Sequence, residues 1–138
     1  MRLFDSFAIS GSGLTAERLR LDLIANNIAN IHTTRTAEGG PFQRRVPVFA
    51  QRLEAARAGF KGAGVVVAGI LRDTSPPIIV HDPSHPDADA EGYVRYPNIN
   101  LANEMVDMLG ATRAYEANAT VFEAAKELAQ RALELGRG

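Results

Sequence analysis

The chain contains no cysteine. Disulfides, thiolate metal sites and a thiol nucleophile are therefore excluded. Long apolar runs are absent too. The longest, such as "VVVAGIL" at 65–71, falls far short of the ~18 residues that span a bilayer. At the start, "MRLFDSFAIS" carries Asp5, which breaks the apolar stretch before the hydrophobic region of a cleavable secretory signal can form. If the chain leaves the cytoplasm, another route is expected. No charge excess exists: 15 Lys+Arg face 16 Asp+Glu, a net −1, so the electrostatic footprint of a nucleic-acid-binding chain is missing.

Catalytic signatures are missing as well. No Ser/His/Asp motif, G-x-S-x-G, P-loop or dinucleotide glycine pattern occurs, and neither an enzyme nor a cofactor is expected. Asp87, Asp89, Glu91 and Gly92 imitate the opening of a calcium loop. The twelfth position, which should be a bidentate Glu, is Asn98, so the stretch reads as a structural turn. His81, Asp82, His85 and Asp87 fit no ordinary zinc spacing and read as a proline-stiffened surface loop. His32 stands alone at the end of the first helix, where a cation suits the dipole. No metal is expected. The sequon at Asn118 lies within a helical pattern and reads as chance.

With 138 residues the chain fits one domain, and its order along the sequence is helix, β-rich insert, helix. The last third is the clearest part. Leu101, Met105, Met108, Thr112, Tyr115, Ala119 and Phe122 alternate spacings of four and three, and Val121, Leu128 and Leu135 extend an adjoining stripe. One long helix over roughly 100–135 is predicted, capped by Asn98 or Asn100, with Glu104 in its first turns and Gly136 as its stop. Near the N-terminus, Leu14, Leu21, Ile24, Ile28 and Ile31 share a stripe, with Leu3 and Phe7 upstream. Gly11 and Gly13 interrupt it, each costing about 1 kcal/mol against Ala. Propensity starts this helix after Gly13; a start near residue 4 would need neighbours to hold it. Between the helices, all seven prolines fall at 41–97, among short β-branched runs at 46–49, 64–71, 77–80 and 92–96. The expected fold is mainly α with a small β-rich insert. The terminal helices pack as an antiparallel, coiled-coil-like pair. Divisions are expected at 1–32, 33–97 and 98–138. The insert is too small to cover both apolar stripes, which points to partners.

The stretch "ANNIAN" at 25–30 places three amides in six helical positions, although Asn is a poor helix-interior residue. Asn30 can end the helix as a left-handed cap. That does not explain Asn26 and Asn27: Asn27 borders the Ile24/Ile28/Ile31 seam, and Asn26 shares a neighbouring face with Asn30. Amides bonding across packed helices can specify register where Leu and Ile alone would slip. A basic stretch (Arg35, Arg44, Arg45, Arg52, Arg57, Lys61) and an acidic one (Asp82, Asp87, Asp89, Glu91) read either as solvated loops or as a complementary pair between neighbouring subunits.

"SGSGLTAERLRLDLIANNIANIHTTRT" resembles the N-terminal motif of bacterial flagellar rod and hook proteins, and "NINLANEMVDMLGATRAYEANATVFEAAKELAQRALELG" resembles their C-terminal motif. The insert, through "GGPFQRRVPVF" and "VHDPSHPDADAEGYVRYPNIN", is similar to that of the proximal rod members. The resemblance implies a structural axial subunit whose terminal helices line a hollow helical tube around the export channel. Its partners would be copies of itself, other rod proteins, the membrane ring at the rod base and the flagellar type III export apparatus, with no nucleic acid and no membrane insertion. It would leave the cytoplasm uncleaved and reside in the rod of the basal body, in the periplasmic space. The expected assembly interface is Leu14, Leu21, Ile24, Asn26, Asn27, Ile28, Asn30, Met105, Met108, Tyr115, Asn118, Phe122 and Leu128. Phe42 and Val46 form a candidate export-gate motif, a Phe followed four positions later by an aliphatic residue. The competing reading is an autonomous helical-hairpin adaptor of the periplasm or cell wall.

Overall fold

A computed structural model describes residues 2–56 and 59–138, with side chains over 4–53 and 62–138. Arg57 of the basic stretch lies outside the described residues, as do the side chains of Leu3 and Lys61. Two helices, α1 (Arg2–Ala29) and α2 (Leu101–Arg137), flank two antiparallel strand pairs. The first pair is a long ribbon of β1 (Arg45–Ala56) and β2 (Gly59–Arg72); the second is a short hairpin of β3 (Ile78–His81) and β4 (Tyr93–Tyr96). The helices run antiparallel: Phe7 near the start of α1 meets Phe122 of α2, and Asn27 near its end meets Glu104. A mainly helical fold with a small β insert is thus what the chain adopts.

α1 does not wait for Gly13; it is helical from Arg2 through Gly11, Ser12 and Gly13. The neighbours that such a helix needs are present. A side chain at Gly13 would put its Cβ 2.8 Å from the amide of Asn118, so the missing side chain lets α2 approach. The Ser12 hydroxyl donates to the Ile9 carbonyl (2.7 Å) and accepts the Val65 N–H (3.0 Å), tying α1 to β2. Gly64 is the other half of this contact. It sits at φ +104°, with space for no Cβ beside Ser12.

α1 ends at Ala29, and Asn30 is not a left-handed cap: no described residue other than glycine has positive φ. Its amide instead donates to the Asn26 carbonyl (2.8 Å) while its Oδ1 accepts from the Thr33 hydroxyl (3.1 Å), so the exit turn is tied by side chains. α2 is capped by Asn100, which accepts the Asn103 N–H at 3.1 Å. Gly136 does not stop α2; the helix runs to Arg137.

The ribbon pairs Arg45 with Arg72 at its base, with register shifts between Val48 and Phe49 and between Gln51 and Leu53. The short hairpin shares a small core with the exit of α1: Val94, Ile99 and Phe42 are buried, and Tyr96 takes His32 and His85 edge-on at 6.3 and 6.0 Å. The acidic loop before β4 is consumed locally. Asp89 accepts the N–H groups of Glu91 and Tyr93, Asp82 accepts from Ser84, and Asp87 accepts from the Thr34 hydroxyl at 2.7 Å. The Ser84 hydrogen bond holds the Asp82 carboxyl below its ordinary range.

The interior is small. Among the described residues, eight apolar side chains are buried, while twenty-one large ones are exposed. The chain exposes 9837 Å², whereas a compact 14.9 kDa monomer would expose about 7,000 Å².

Candidate assembly interface

The α1–α2 seam is carried less by large residues than by small ones. On α2, Glu104, Ala111 and Ala125 are buried, and Met108, Asn118 and Phe122 are half-buried. The seam therefore steps through 104, 108, 111, 118, 122 and 125. Alanine is the residue that lets two backbones approach closely, and the large rings are used once: Phe7 meets Phe122 edge-on, centroids 5.1 Å apart. On α1, Ile24 and Asn27 are buried, and Leu14, Leu21 and Ile28 are half-buried; Asn30, just beyond the helix, is half-buried too.

The rest of the expected interface faces outward from the single chain. Met105 and Leu128 are each 59% exposed, Tyr115 is 36% exposed, and Asn26 is exposed. Thus Met108 and Tyr115, read as one stripe, are divided by the structure between the intrachain seam and the open surface. Leu101, Met105 and Leu109, four apart, form one uncovered row; Val121, Leu128 and Leu135, seven apart, form another. Among the described residues no helix is long and apolar enough to cross a membrane.

Where α1, α2 and the base of the ribbon meet, the contact is polar, and its two central side chains are buried. Asn27 is 1% exposed. Its side-chain amide pairs with the Arg45 backbone as a strand partner would: Nδ2 donates to the carbonyl (2.9 Å) and Oδ1 accepts the N–H (2.9 Å). The same Nδ2 donates to Glu104 Oε2 at 3.2 Å. Glu104, also 1% exposed, takes Arg44 Nε on its other oxygen. Arg44 Nη2 then reaches Asp107 at 3.1 Å. Asn27 thus answers why an amide borders an apolar seam: it caps the start of β1 and feeds a buried carboxylate.

The basic and acidic stretches do not stand apart as two free charged loops. Arg44 is paired with Glu104 and Asp107 of α2, and Arg35 lies 3.7 Å from Asp87. Arg45 places its guanidinium 5.5 Å from the Phe42 ring. Arg72 pairs with Glu38, and this contact keeps the Glu38 carboxyl below its usual range.

Phe42 is buried and precedes β1, its N–H donating to the Thr33 carbonyl, whereas half-buried Val46 lies within β1 opposite Leu71.

Glu104, Arg44, Ser12 and Gly64 are the residues that sequence reasoning missed. Glu104 carried a partial signal, an acid four residues before Met108 of the predicted stripe. Ser12 and Gly64 carried none, since the contact joins residues 53 apart.

Two amphipathic terminal helices with uncovered apolar rows hold a β insert between them. Comparison with known proteins gives the class. The family described as "Flagella basal body rod protein" matches residues 7–35, and "Flagellar basal body rod FlgEFG protein C-terminal" matches residues 90–135. The chain is 45% identical to the flagellar basal-body rod protein FlgC of Borreliella burgdorferi, over all of both chains. It is 39% identical to that of Bacillus subtilis and 37% identical to that of Escherichia coli, in each case over 99% of this chain and 100% of the relative. The chain belongs to the flagellar basal-body rod protein family. Its whole-length relatives make it a FlgC-like proximal rod protein, a structural subunit of the rod.

Proposed function

We propose that the chain is an axial subunit of the proximal rod, polymerising through its terminal helices into a hollow helical drive shaft. The shaft transmits torque and surrounds the export channel. The observation that carries this reading is the uncovered apolar surface. A chain related over its whole length to rod proteins leaves Leu101, Met105, Leu109, Val121, Leu128 and Leu135 exposed on one 37-residue helix. At roughly 25 cal/mol per Å² of apolar area, these rows have a large stabilisation still to gain on assembly. Subunit packing against copies of itself and other rod proteins supplies it. The rod base meets the membrane ring, and delivery runs through the flagellar type III export apparatus, uncleaved, into the periplasmic space. The assembly residues are those that close the pair (Leu14, Leu21, Ile24, Asn27, Ile28, Met108, Asn118, Phe122), Asn30, which ties the exit turn of α1, and those that face outward (Asn26, Met105, Tyr115, Leu128).

The test is sedimentation and electron microscopy of the purified chain across a concentration series, with and without rod fragments from isolated basal bodies as seeds. Seeded growth of a hollow helical polymer is the expected result. A rigid monomer at every concentration, indifferent to seeds, would overturn the proposal and favour the autonomous adaptor.

A further inference from the structure

Arg44 joins α2 to both ends of the ribbon. Its side chain reaches α2 at two points, Glu104 through Nε and Asp107 through Nη2 at 3.1 Å. Its backbone carbonyl accepts the N–H of Asp73, the first residue beyond β2, at 2.7 Å. The next residue, Arg45, opens β1 and is gripped at both backbone groups by Asn27 of α1. One residue therefore connects α2 to the feet of both ribbon strands, and its neighbour connects them to α1. We propose that Arg44 is a positioning residue: it keys the ribbon into the helix pair and fixes the direction in which the ribbon leaves it. This rests on the rod reading only for its consequence, that a subunit with a loose ribbon presents the wrong surface to its neighbours.

The chemistry demands a guanidinium rather than any cation. Glu104 is buried, and a buried carboxylate requires a paired charge and hydrogen bonds. A lysine could supply the charge. It could not hold two carboxylates one turn apart on α2 with donors fixed in a plane. Asp107 is the second anchor that converts a charge contact into an orientation. A second attachment, Ser12 to Val65, lies fifteen residues back along α1, about 22 Å away. With both in place the ribbon lies along the helix pair; with Arg44 released it keeps its attachments to α1 at Asn27 and Ser12 but loses its ion pairs to α2, and can swing relative to that helix.

The absence of cysteine makes the test direct. Two labels are introduced at exposed positions outside the junction, Arg52→Cys on β1 and Glu127→Cys on α2, and their distance distribution is measured by pulsed electron spin resonance. This is done in the full-length monomer and in its Arg44→Lys, Arg44→Met and Arg44→Met/Glu104→Gln variants. Helix content and thermal midpoint are recorded alongside. The expected result is a narrow distribution for the parent. Arg44→Lys should broaden it at least twofold at unchanged helix content, and seeded polymer yield should fall tenfold or more. The double variant, which removes the buried charge, should recover the thermal midpoint but not the narrow distribution. A narrow, parent-like distribution in Arg44→Lys or in the double variant overturns the proposal, because charge compensation or folding alone would then suffice. A broad parent distribution overturns it too. If Arg44→Met fails to fold, the other two variants still decide. The distances are read in the monomer, so failure of the parent to polymerise counts against the rod reading alone.

Discussion

Replacing Asn27 by leucine keeps the size of the side chain and improves helix propensity, yet it should be among the most damaging single changes in α1. The amide makes three hydrogen bonds in a site that is 1% exposed. Its loss strands the Arg45 N–H and carbonyl and removes one of the donors to the Glu104 carboxylate. A typical intramolecular hydrogen bond contributes about 1 kcal/mol net, and a buried partner left unsatisfied costs ~1–3 kcal/mol. Water reaching the exposed side of Arg45 limits the penalty there. The sum is about 3–4 kcal/mol, a large part of the ~5–15 kcal/mol that stabilises a domain. In urea, with a slope of about 2 kcal/mol per molar, the unfolding midpoint should fall by roughly 1.5–2 M. Asn26→Leu is the control: Asn26 is exposed and only its backbone carbonyl is engaged, by Asn30, so the change should stay within ~0.5 kcal/mol. Far-UV circular dichroism of both variants across a urea series measures this. Equal midpoints for the two would refute the assignment of Asn27 to the junction. Loss of polymerisation in Asn26→Leu at unchanged stability would show that Asn26 serves the interface between subunits.

Gly64→Ala should cost about 2–4 kcal/mol, because its Cβ would fall 2.2 Å from Ser12 Oγ and 3.3 Å from the Ile9 backbone, at φ +104°. Gly11→Ala, where a Cβ meets nothing within 4 Å, should instead stabilise α1 by ~0.5–1 kcal/mol; thermal unfolding compares the two. Phe122→Ala should cost about 3 kcal/mol in the single chain through its contact with Phe7, whereas Tyr115→Ala should cost under ~1 kcal/mol there and show its effect as weakened polymer; equal losses in the monomer would contradict this. Asp82 is held below its ordinary pKa chiefly by the Ser84 side chain. Its contribution is therefore present above the unfolded value, near ~4, and is lost as pH falls through the lower folded value. Ser84→Ala should move the Asp82 titration, read by carboxyl-carbon NMR, up toward the ordinary value. A Phe42→Ala/Val46→Ala variant should accumulate inside cells arrested at rod assembly if the segment is read by the export gate. Normal secretion with failed assembly would make it purely structural, as the burial of Phe42 equally allows.

The helices were legible because their signals are local and repeated. Spacings of three and four across residues 101–122, with no proline, leave no other element to form. The start of α1 was not legible in the same way. Two glycines within three residues argue against a helix on propensity, and what overrides them is Asn118 from 105 positions away and β2 from 53 positions away. Asn30 failed for a related reason. Asn can take the left-handed conformation at a helix C-terminus, but its side chain can also bond back to Asn26, and the sequence does not choose between the two.

The junction shows how far such reading can reach. Arg44 sits among basic residues that look alike in sequence, and its partners lie 60 and 63 positions on, so no periodicity selects it. Glu104 is different. Counting back from Phe122 and Ala111 along α2 in steps of three and four arrives at Glu104, a carboxylate on the face that holds Met108 and Ala125. An acid on a buried stripe is expensive unless a cation and further donors reach it. That cost implies a partner before one is seen. The donors must come from outside α2, since a base on the same face would already have appeared in the seam. Of the two flanking stretches, "ANNIAN" offers the buried amide and the "QRRV" stretch the cation. Followed in that order, the misplaced charge on α2 leads to Asn27 and the arginine pair, and only the choice between Arg44 and Arg45 requires coordinates. Pleat alternation explains their division of labour: Arg45 opens β1 with its backbone held by Asn27, so its side chain turns to Phe42 while Arg44, outside the strand, is free to enter the junction.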